Sequence, residues 1–340
     1  MSEQRNVLKA IGYGTIASVF LSSTFVINSL LSGSGGYWAW TAALRCVFLV
    51  PVLSLVLIFT KQLSPLFAIL RQEPVLFIKW GIIGFGILYM SLALASLYSP
   101  GWMVAAAFQL NILAGILLSP FIYPDRKRQK IPAKPLMLSL VLVVGVFITQ
   151  LEKLDTAGSM SEIALSLVIV LAGAIVWPLG NRKLLVALEA KNIQLNATQR
   201  VLGMSIGSMP LVLVLVLAAY KNAGLPSFSQ CEASAYSALF SGFFGGVAFY
   251  KASQMVKHNT VALSTIEATQ VFEIFFTLIG EMLLKGASLP GTYGQLGMMI
   301  VFVGMAIHMR NTLLHSRTIR RAARPTVNKQ EPVGLLVEAV

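Results

Sequence analysis

Stretches of about twenty residues with almost no charge fill nearly the whole sequence. Each is long enough to cross a hydrocarbon layer of ~30 Å as a helix. Because lipid offers the backbone no hydrogen-bond partners, such stretches must satisfy their own N–H and C=O groups, and helices do so. Only 11% of the residues are charged, whereas a soluble domain has about 25%. We therefore expect an all-α membrane protein rather than a soluble helical one.

Ten apolar stretches can be delimited by the turn-forming and polar segments between them. They span 10–31, 38–60, 75–97, 101–122, 135–151, 162–181, 200–220, 234–256, 260–284 and 292–311. Short connections, such as the one at 98–101, indicate that consecutive helices are antiparallel. The first stretch is longer than the apolar region of a signal peptide, so we expect it to be retained.

The distribution of basic residues predicts the orientation. With the N-terminus inside, 22 of the 26 Lys and Arg residues lie in cytoplasmic segments, and only Lys153, Lys221 and Lys285 lie outside. Arg45 falls within a stretch. Since basic residues accumulate in cytoplasmic loops, both ends are predicted to be cytoplasmic. This topology also accounts for the net charge of +13, so no nucleic-acid partner is expected.

A weak internal repeat divides the chain. The alignment that places Tyr89 on Tyr250 also places Gln109 on Gln270. Five spans per half is an odd number, so the second half would enter the membrane inverted, as in many secondary transporters. We predict a 5+5 inverted-repeat bundle: 1–155 is the first five-helix repeat and 156–315 the second. Residues 316–340 are predicted to be a basic, mostly disordered cytoplasmic tail.

The ninth stretch has the densest set of polar residues, and they lie within one sector of about 120° on a helix. They are Glu267, Gln270, Glu273, Thr277 and Glu281. A charge near the bilayer centre costs at least ~2.5–3.5 kcal/mol, so this stripe must face protein or water. For Glu267 and Glu273, substrate or proton coupling and static ion pairing remain equal alternatives. Glu281 is expected to reach the outer surface.

Four further residues are candidates for a substrate cavity. Arg45 would bind an anionic substrate group, pair with a buried carboxylate such as Glu273, or cap carbonyl groups of a neighbouring helix. Asn28, Gln109 and Trp38 would line the same cavity, although amides within membranes more often join one helix to another.

Neither a metal site nor a catalytic centre is indicated. Cys46 and Cys231 form no ligand motif, and the three histidines lie at stretch ends or in the tail. No nucleophile has a base beside it at a matching depth. We expect no cofactor and no enzymatic activity.

Three segments resemble the ten-helix proteins of the drug/metabolite transporter superfamily (EamA-like), in the branch of multidrug resistance efflux transporters. They are Ser23–Asn28, Gly36–Arg45 and Tyr98–Gln109. The resemblance covers residues of about 8 to 315 and implies a bundle that exchanges small molecules across the cytoplasmic membrane of a bacterium, with protons as a candidate driving ion. In the related four-helix exporters a first-span glutamate binds proton and drug in turn. The first stretch of this chain has no acid, so that role is not carried over.

The predicted function is therefore a secondary transporter that exports a drug or metabolite. The alternative is a membrane scaffold or sensor that acts through the basic tail. The substrate, the direction of transport and the choice between monomer and homodimer are left open by the sequence.

Overall fold

The computed structural model describes residues 2–131, 133–155, 159–257 and 260–322, and in these ranges all regular structure is helical. The α-helices are α1 (Ser2–Gly33), α2 (Trp38–Phe59), α3 (Leu63–Gln72), α4 (Pro74–Gly81), α5 (Leu88–Ala95), α6 (Gly101–Phe108), α7 (Leu110–Leu117), α8 (Ser119–Ile122), α9 (Arg126–Gln129), α10 (Ala133–Asp155), α11 (Met160–Ala190), α12 (Ala197–Gly207), α13 (Met209–Ala223), α14 (Phe228–Ser237), α15 (Gly246–Met255), α16 (Thr260–Ala268), α17 (Phe272–Lys285) and α18 (Thr292–Ala322).

The apolar helices confirm a membrane helical bundle. Within the described ranges, five helical segments are long and apolar enough to cross a membrane: Arg5–Gly33, Trp38–Phe59, Pro74–Ala95, Leu136–Lys153 and Met160–Ala190. The pair α12–α13, bent by 48°, makes a sixth if it is counted as one span. The other four predicted stretches are also helical, but their helices are shorter or interrupted. The arrangement of ten spans therefore stays a prediction.

Several helices are interrupted in the middle of an apolar stretch. Two of the interruptions are π-helical segments, Ile82–Ile87 between α4 and α5 and Ala238–Gly245 between α14 and α15. The helices α6 and α7 meet at a break at Gln109, and a 3-10 turn, Thr269–Val271, separates α16 from α17. Such interruptions leave backbone groups for side chains to satisfy, and π-helical segments are frequent at functional sites.

The helices pack in related pairs around one core. Helix α1 packs against α15 and α17, and α11 packs against α5 and α7. Helix α2 lies beside α12 and α13, and α10 lies beside α18. The approach of α11 requires glycine, since a Cβ on Gly180 would overlap the backbone of Gly84. These contacts bring α1, α5, α6, α11 and α17 together at the centre of the bundle.

Two features differ in extent from the sequence interpretation. Helix α3 lies between the second and third apolar stretches, where no helix is predicted, and buries only Leu66. Helix α18 continues to Ala322, so its last turns include residues 316–322 of the predicted tail. The remainder of the tail, 323–340, lies outside the described residues.

Candidate functional site

The polar stripe of the ninth stretch is buried, as expected of a helix that turns it away from lipid. Its five residues, which are named above, are exposed by 5% or less and run from α16 through the 3-10 turn into α17. The three carboxylates of the stripe nevertheless have different environments. Those of Glu267 and Glu281 accept hydrogen bonds from protein groups, whereas Oε1 of Glu273 accepts none from the described residues.

Glu267 is held in an ion pair. The guanidinium of Arg182, on α11, donates from Nη2 to both carboxylate oxygens at 2.5 Å and from Nε to Oε1 at 3.1 Å. Arg182 Nη1 also donates to the carbonyl of Gly115 at 2.5 Å. Both side chains are almost fully buried. Of the two alternatives for Glu267, the geometry favours static pairing, which links α16, α11 and α7.

Glu281 caps the first turn of α6 instead of reaching the surface. Its carboxylate accepts hydrogen bonds from the backbone N–H groups of Gly101 at 2.9 Å and Trp102 at 3.0 Å, and from the hydroxyl of Ser29. The first N–H groups of a helix have no partner within it, so an anionic acceptor there is stabilising. The expectation that Glu281 extends to the outer surface is wrong, because these donors hold it inside.

Glu273, in the first turn of α17, is 1% exposed and lies in apolar and aromatic surroundings. Within the described residues its Oε1 accepts no hydrogen bond, and no Lys, Arg or His nitrogen lies within 4.0 Å. It borders an internal cavity of about 30 Å³ lined by Leu21, Thr24, Phe25, Leu88, Tyr89, Leu92, Phe108, Trp177, Ser241, Gln270 and Glu273. A space of this size holds no more than one or two water molecules. The cavity is therefore closed to larger molecules in this conformation.

Gln109 and Gln270 meet beside this cavity. The Nε2 group of Gln109 donates to the backbone oxygen of Gln270 at 3.1 Å and to that of Ala105 at 3.0 Å. The backbone oxygen of Thr269 accepts a hydrogen bond from Ser18 at 2.7 Å. Side chains thus satisfy carbonyl groups at the break between α16 and α17, which explains how a broken helix is tolerated here.

Arg45 does not pair with Glu273, which is one of the three roles predicted for it as alternatives. Its guanidinium lies over the ring of Tyr89, 3.5 Å from the centroid, and its Nη2 donates to Ser241 at 3.0 Å. Ser241 in turn accepts from the hydroxyl of Thr24 at 2.5 Å. Through Tyr89 and Ser241, Arg45 contacts two residues of the cavity wall without being part of that wall.

Two other sequence candidates are not brought to the cavity. Asn28 is buried in α1, but it is not among the lining residues. Trp38 is half-buried at the start of α2, with its ring 6.0 Å from that of Tyr37. The structure thus groups Gln270 and Glu273 in the cavity wall, with Gln109 and Arg45 in contact with that wall.

A larger groove of about 700 Å³ lies between α2, α4 and the bend at Ser208, and it is apolar. Its lining is Val47, Leu70, Pro74, Phe77, Ile78, Ile206, Gly207, Met209, Pro210, Val212, Leu213 and Val216. Binding sites for small molecules combine apolar walls with a few placed polar groups. This lining has none, so the small cavity at Glu273 is the stronger candidate.

Comparison with known proteins establishes the family. A family model described as "EmrE: Putative multidrug resistance efflux transporter" matches residues 8–313. The chain belongs to this family. Membership confirms the resemblance drawn from the sequence and makes the chain a multi-pass membrane protein of a small-molecule transporter family.

Similar proteins extend the family relationship without adding a substrate. The chain is 37% identical over 309 residues to a protein of Bacillus subtilis named "Uncharacterized protein YjlA", covering 88% of this chain and 94% of that one. It is 32% identical over 269 residues to a 42.1 kDa protein of Shouchella clausii, covering 78% and 70%. A crystal structure with 16% identity and a TM-score of 0.61, covering 91% of this chain and 98% of the other, shares the fold.

Sequence reasoning missed the partner of Glu267. The positive-inside count treats Arg182 as a loop residue, because the sixth apolar stretch was ended at 181. Helix α11 continues to Ala190 and turns Arg182 into the bundle. Arg200, also counted as a loop charge, is 1% exposed in the first turn of α12. The sequence itself favours a helix end here, because Pro178, Gly180 and Asn181 come directly before Arg182.

Proposed function

We propose that this chain is a secondary active transporter of a bacterial cytoplasmic membrane that exports a small molecule in exchange for protons, with Glu273 as the coupling carboxylate. The observation that carries the proposal is a buried carboxylate that borders a cavity of the bundle and has no Lys, Arg or His nitrogen within 4.0 Å among the described residues. A bare charge in such surroundings is costly. Binding of a proton, or of a polar group of the substrate, relieves that cost.

The contacts of the two neighbouring carboxylates support Glu273, and not them, in this role. Glu267 is neutralised by Arg182, and Glu281 is fixed by the N-terminus of α6. Either would have to give up several charge-assisted hydrogen bonds before it could take part in a transport cycle. Among the described residues Glu273 forms no ion pair, and its Oε1 accepts no hydrogen bond that would have to break. Gln270, in the same cavity wall, has a side-chain oxygen that accepts no hydrogen bond from the described residues and is a second candidate contact for the substrate.

The pattern of helix interruptions supports a 5+5 inverted repeat, and the distribution of basic residues favours both ends in the cytoplasm. The alignment that places Tyr89 on Tyr250 carries the break at Gln109 onto the turn at Thr269–Val271. It carries the π-helical segment Ile82–Ile87 onto 243–248, which overlaps Ala238–Gly245. It also relates the packing of α11 on α5 and α7 to that of α1 on α15 and α17. Two halves related in this way exchange conformations to open a central site to either side. The closed cavity at Glu273 would open by such a motion.

The test is transport by purified full-length protein in liposomes that contain a pH-sensitive dye. A panel of small molecules is screened for substrate-dependent proton movement against an imposed pH gradient. Glu273→Gln keeps the size and polarity of the side chain but cannot exchange a proton, so it should abolish coupled proton movement. The matched control is Glu232→Gln, since Glu232 lies in α14 towards the surface, near the hydroxyl of Tyr236.

The proposal fails if Glu273→Gln moves protons with its substrate at the wild-type rate and with the same pH dependence. It also fails if the wild-type protein moves no compound of the panel while folded and monodisperse.

A further inference from the structure

Two buried arginines of this bundle form no ion pair with any carboxylate of the described residues. Arg45 is 2% exposed and Arg200 is 1% exposed. Among the described residues, no carboxylate oxygen lies within 4.0 Å of either guanidinium. A buried charge without a counter-charge is strongly destabilising, and Arg182 in the same bundle shows the usual solution, a bidentate carboxylate. The two unpaired arginines therefore require another explanation.

Each unpaired arginine lies over a tyrosine, and the two tyrosines are related by the internal repeat. Arg45 lies 3.5 Å from the ring centroid of Tyr89, and Arg200 lies 4.6 Å from that of Tyr250. Tyr89 and Tyr250 occupy equivalent positions in the alignment of the two halves. The same arrangement thus occurs twice, once on α2 and once on α12.

In both arrangements some N–H groups of the guanidinium donate no hydrogen bond to the described residues. Arg45 Nη2 donates to Ser241 at 3.0 Å, and Arg200 Nη2 donates to Asn181 at 2.7 Å. The Nε and Nη1 groups of both arginines have no acceptor among the described residues. A guanidinium that lies over a ring still directs its N–H groups sideways in its own plane. There they match the geometry of a carboxylate.

A row of aromatic rings connects the two sites. The ring centroid of Phe85 lies 5.5 Å from that of Tyr89 and 6.3 Å from that of Tyr250. Trp177 lies 6.0 Å from both Phe85 and Tyr250, and it lines the cavity that contains Glu273. The row therefore runs from one arginine to the other past the proposed coupling carboxylate.

The described carboxylate whose charge acts on Arg200 is that of Glu189, which also lies beside two other cations. Glu189 accepts a hydrogen bond from Arg128 at 2.9 Å, and the Lys257 ammonium lies 3.9 Å away. The side-chain hydrogen bond from Arg128 also lowers the pKa of Asp125, so Asp125 is committed to that arginine. Both acids are nearer to other cations than to Arg200, so no carboxylate among the described residues is in contact with the guanidinium of Arg200.

We propose that the transported molecule bears a carboxylate, which Arg200 and Arg45 bind in turn at the two ends of the aromatic row, while its apolar part lies against the rings. This inference rests on the proposed transport function and adds the class of substrate to it. An anionic substrate would supply the counter-charge that no described carboxylate gives these arginines. The aromatic rings would pack against apolar groups of different shapes. The occurrence of the arrangement in both halves places one anion site towards each side of the membrane.

The test measures equilibrium binding to purified full-length protein in nanodiscs of uncharged lipid. The probes are benzoate, 3-phenylpropanoate and indole-3-acetate, each compared with its neutral amide. At least one carboxylate should bind tenfold or more tightly than its amide. Arg45→Gln and Arg200→Gln should each reduce this preference at least threefold, and the combined variant should abolish it. Arg71→Gln, which changes an exposed arginine at the end of α3, should leave it unchanged.

Binding of the amides reports whether a variant still has an intact site. If a glutamine variant loses amide binding as well, Arg45→Lys and Arg200→Lys replace it, because they keep the charge and remove the planar fork. These should fold and still show a smaller preference for the carboxylate. The proposal is wrong if no carboxylate binds better than its amide, or if folded variants at both arginines keep the full preference.

The outcome is separate from that of proton coupling. Wild-type protein that prefers carboxylates but moves no protons would refute the coupling proposal alone. Protein that couples protons but shows no preference for carboxylates would refute this one alone.

Discussion

The pair formed by Glu267 and Arg182 gives the sharpest test of how charge is distributed in this bundle. Replacing Glu267 with Gln keeps the shape of the side chain and leaves the buried guanidinium without a counter-charge. The structure predicts a large loss of stability, because two hydrogen bonds of 2.5 Å and one of 3.1 Å involve the lost charge. The same substitution at Glu273 removes no ion pair at all.

The size of the effect follows from the geometry. Two unit charges about 4 Å apart at an effective dielectric constant of about 20 interact by about 4 kcal/mol. Breaking a buried pair by removing one partner costs about 3–5 kcal/mol. Glu267→Gln and Arg182→Gln should each lower the free energy of unfolding by this amount. Their combination should cost about 2–3 kcal/mol less than the sum, because it leaves no unpaired charge.

The assay is unfolding in a titration with denaturing detergent, followed by tryptophan fluorescence, for the two single variants, the double variant and Glu273→Gln. The last should change the free energy of unfolding by less than about 1 kcal/mol, or raise it, since it removes an unpaired buried acid. Additive losses in the double variant would refute the pairing. A loss for Glu273→Gln as large as that for Glu267→Gln would refute the distinction between the two carboxylates.

Three further outcomes follow from the fold. Glu281→Ala removes the acceptor for the first two N–H groups of α6 and should lower the free energy of unfolding by about 1–3 kcal/mol, measured in the same titration. Gly180→Ala forces α11 away from Gly84 and should cost about 1–3 kcal/mol or prevent monodisperse expression. Removing residues 323–340 should leave substrate flux in liposomes unchanged, whereas a protein that signals through its tail would lose its function.

The sequence predicts the helical class and the buried stripe because both depend on local pattern. Apolar length alone predicts helices in lipid, and all ten predicted stretches are helical where the structure describes them. The spacing of Glu267, Gln270 and Glu273 puts them on one face, and a face with three polar groups cannot turn to lipid. These inferences need no knowledge of which helices are neighbours.

The environments of the individual acids could not be predicted, because they depend on residues far along the chain. Arg182 lies 85 positions before Glu267, and Gly101 lies 180 before Glu281. Nothing in the sequence distinguishes an acid that meets an arginine from one that meets a helix terminus. The helix breaks could not be predicted either, because nothing local marks Gln109 or Thr269 as a break. The side chain of Gln109 and the carbonyl group of Thr269 find their hydrogen-bond partners only in the folded bundle.

The proposed repeat relates the helices of the two halves, but the acid at Glu273 has no equivalent in the first half. This difference affects how the protein would couple a proton to its substrate. The alignment of the halves pairs Glu273 with Ile112, which is 1% exposed in α7. The tyrosines Tyr89 and Tyr250, in contrast, are equivalent, and an arginine lies over each of them, although the alignment places Arg45 on Ile206 and not on Arg200. A symmetric frame allows two conformations of similar energy, one open to each side. With a single acid in one half, Glu273 binds either a proton or a polar group of the substrate in both conformations. An acid in each half would let proton and substrate bind at the same time, and transport of one would no longer require transport of the other.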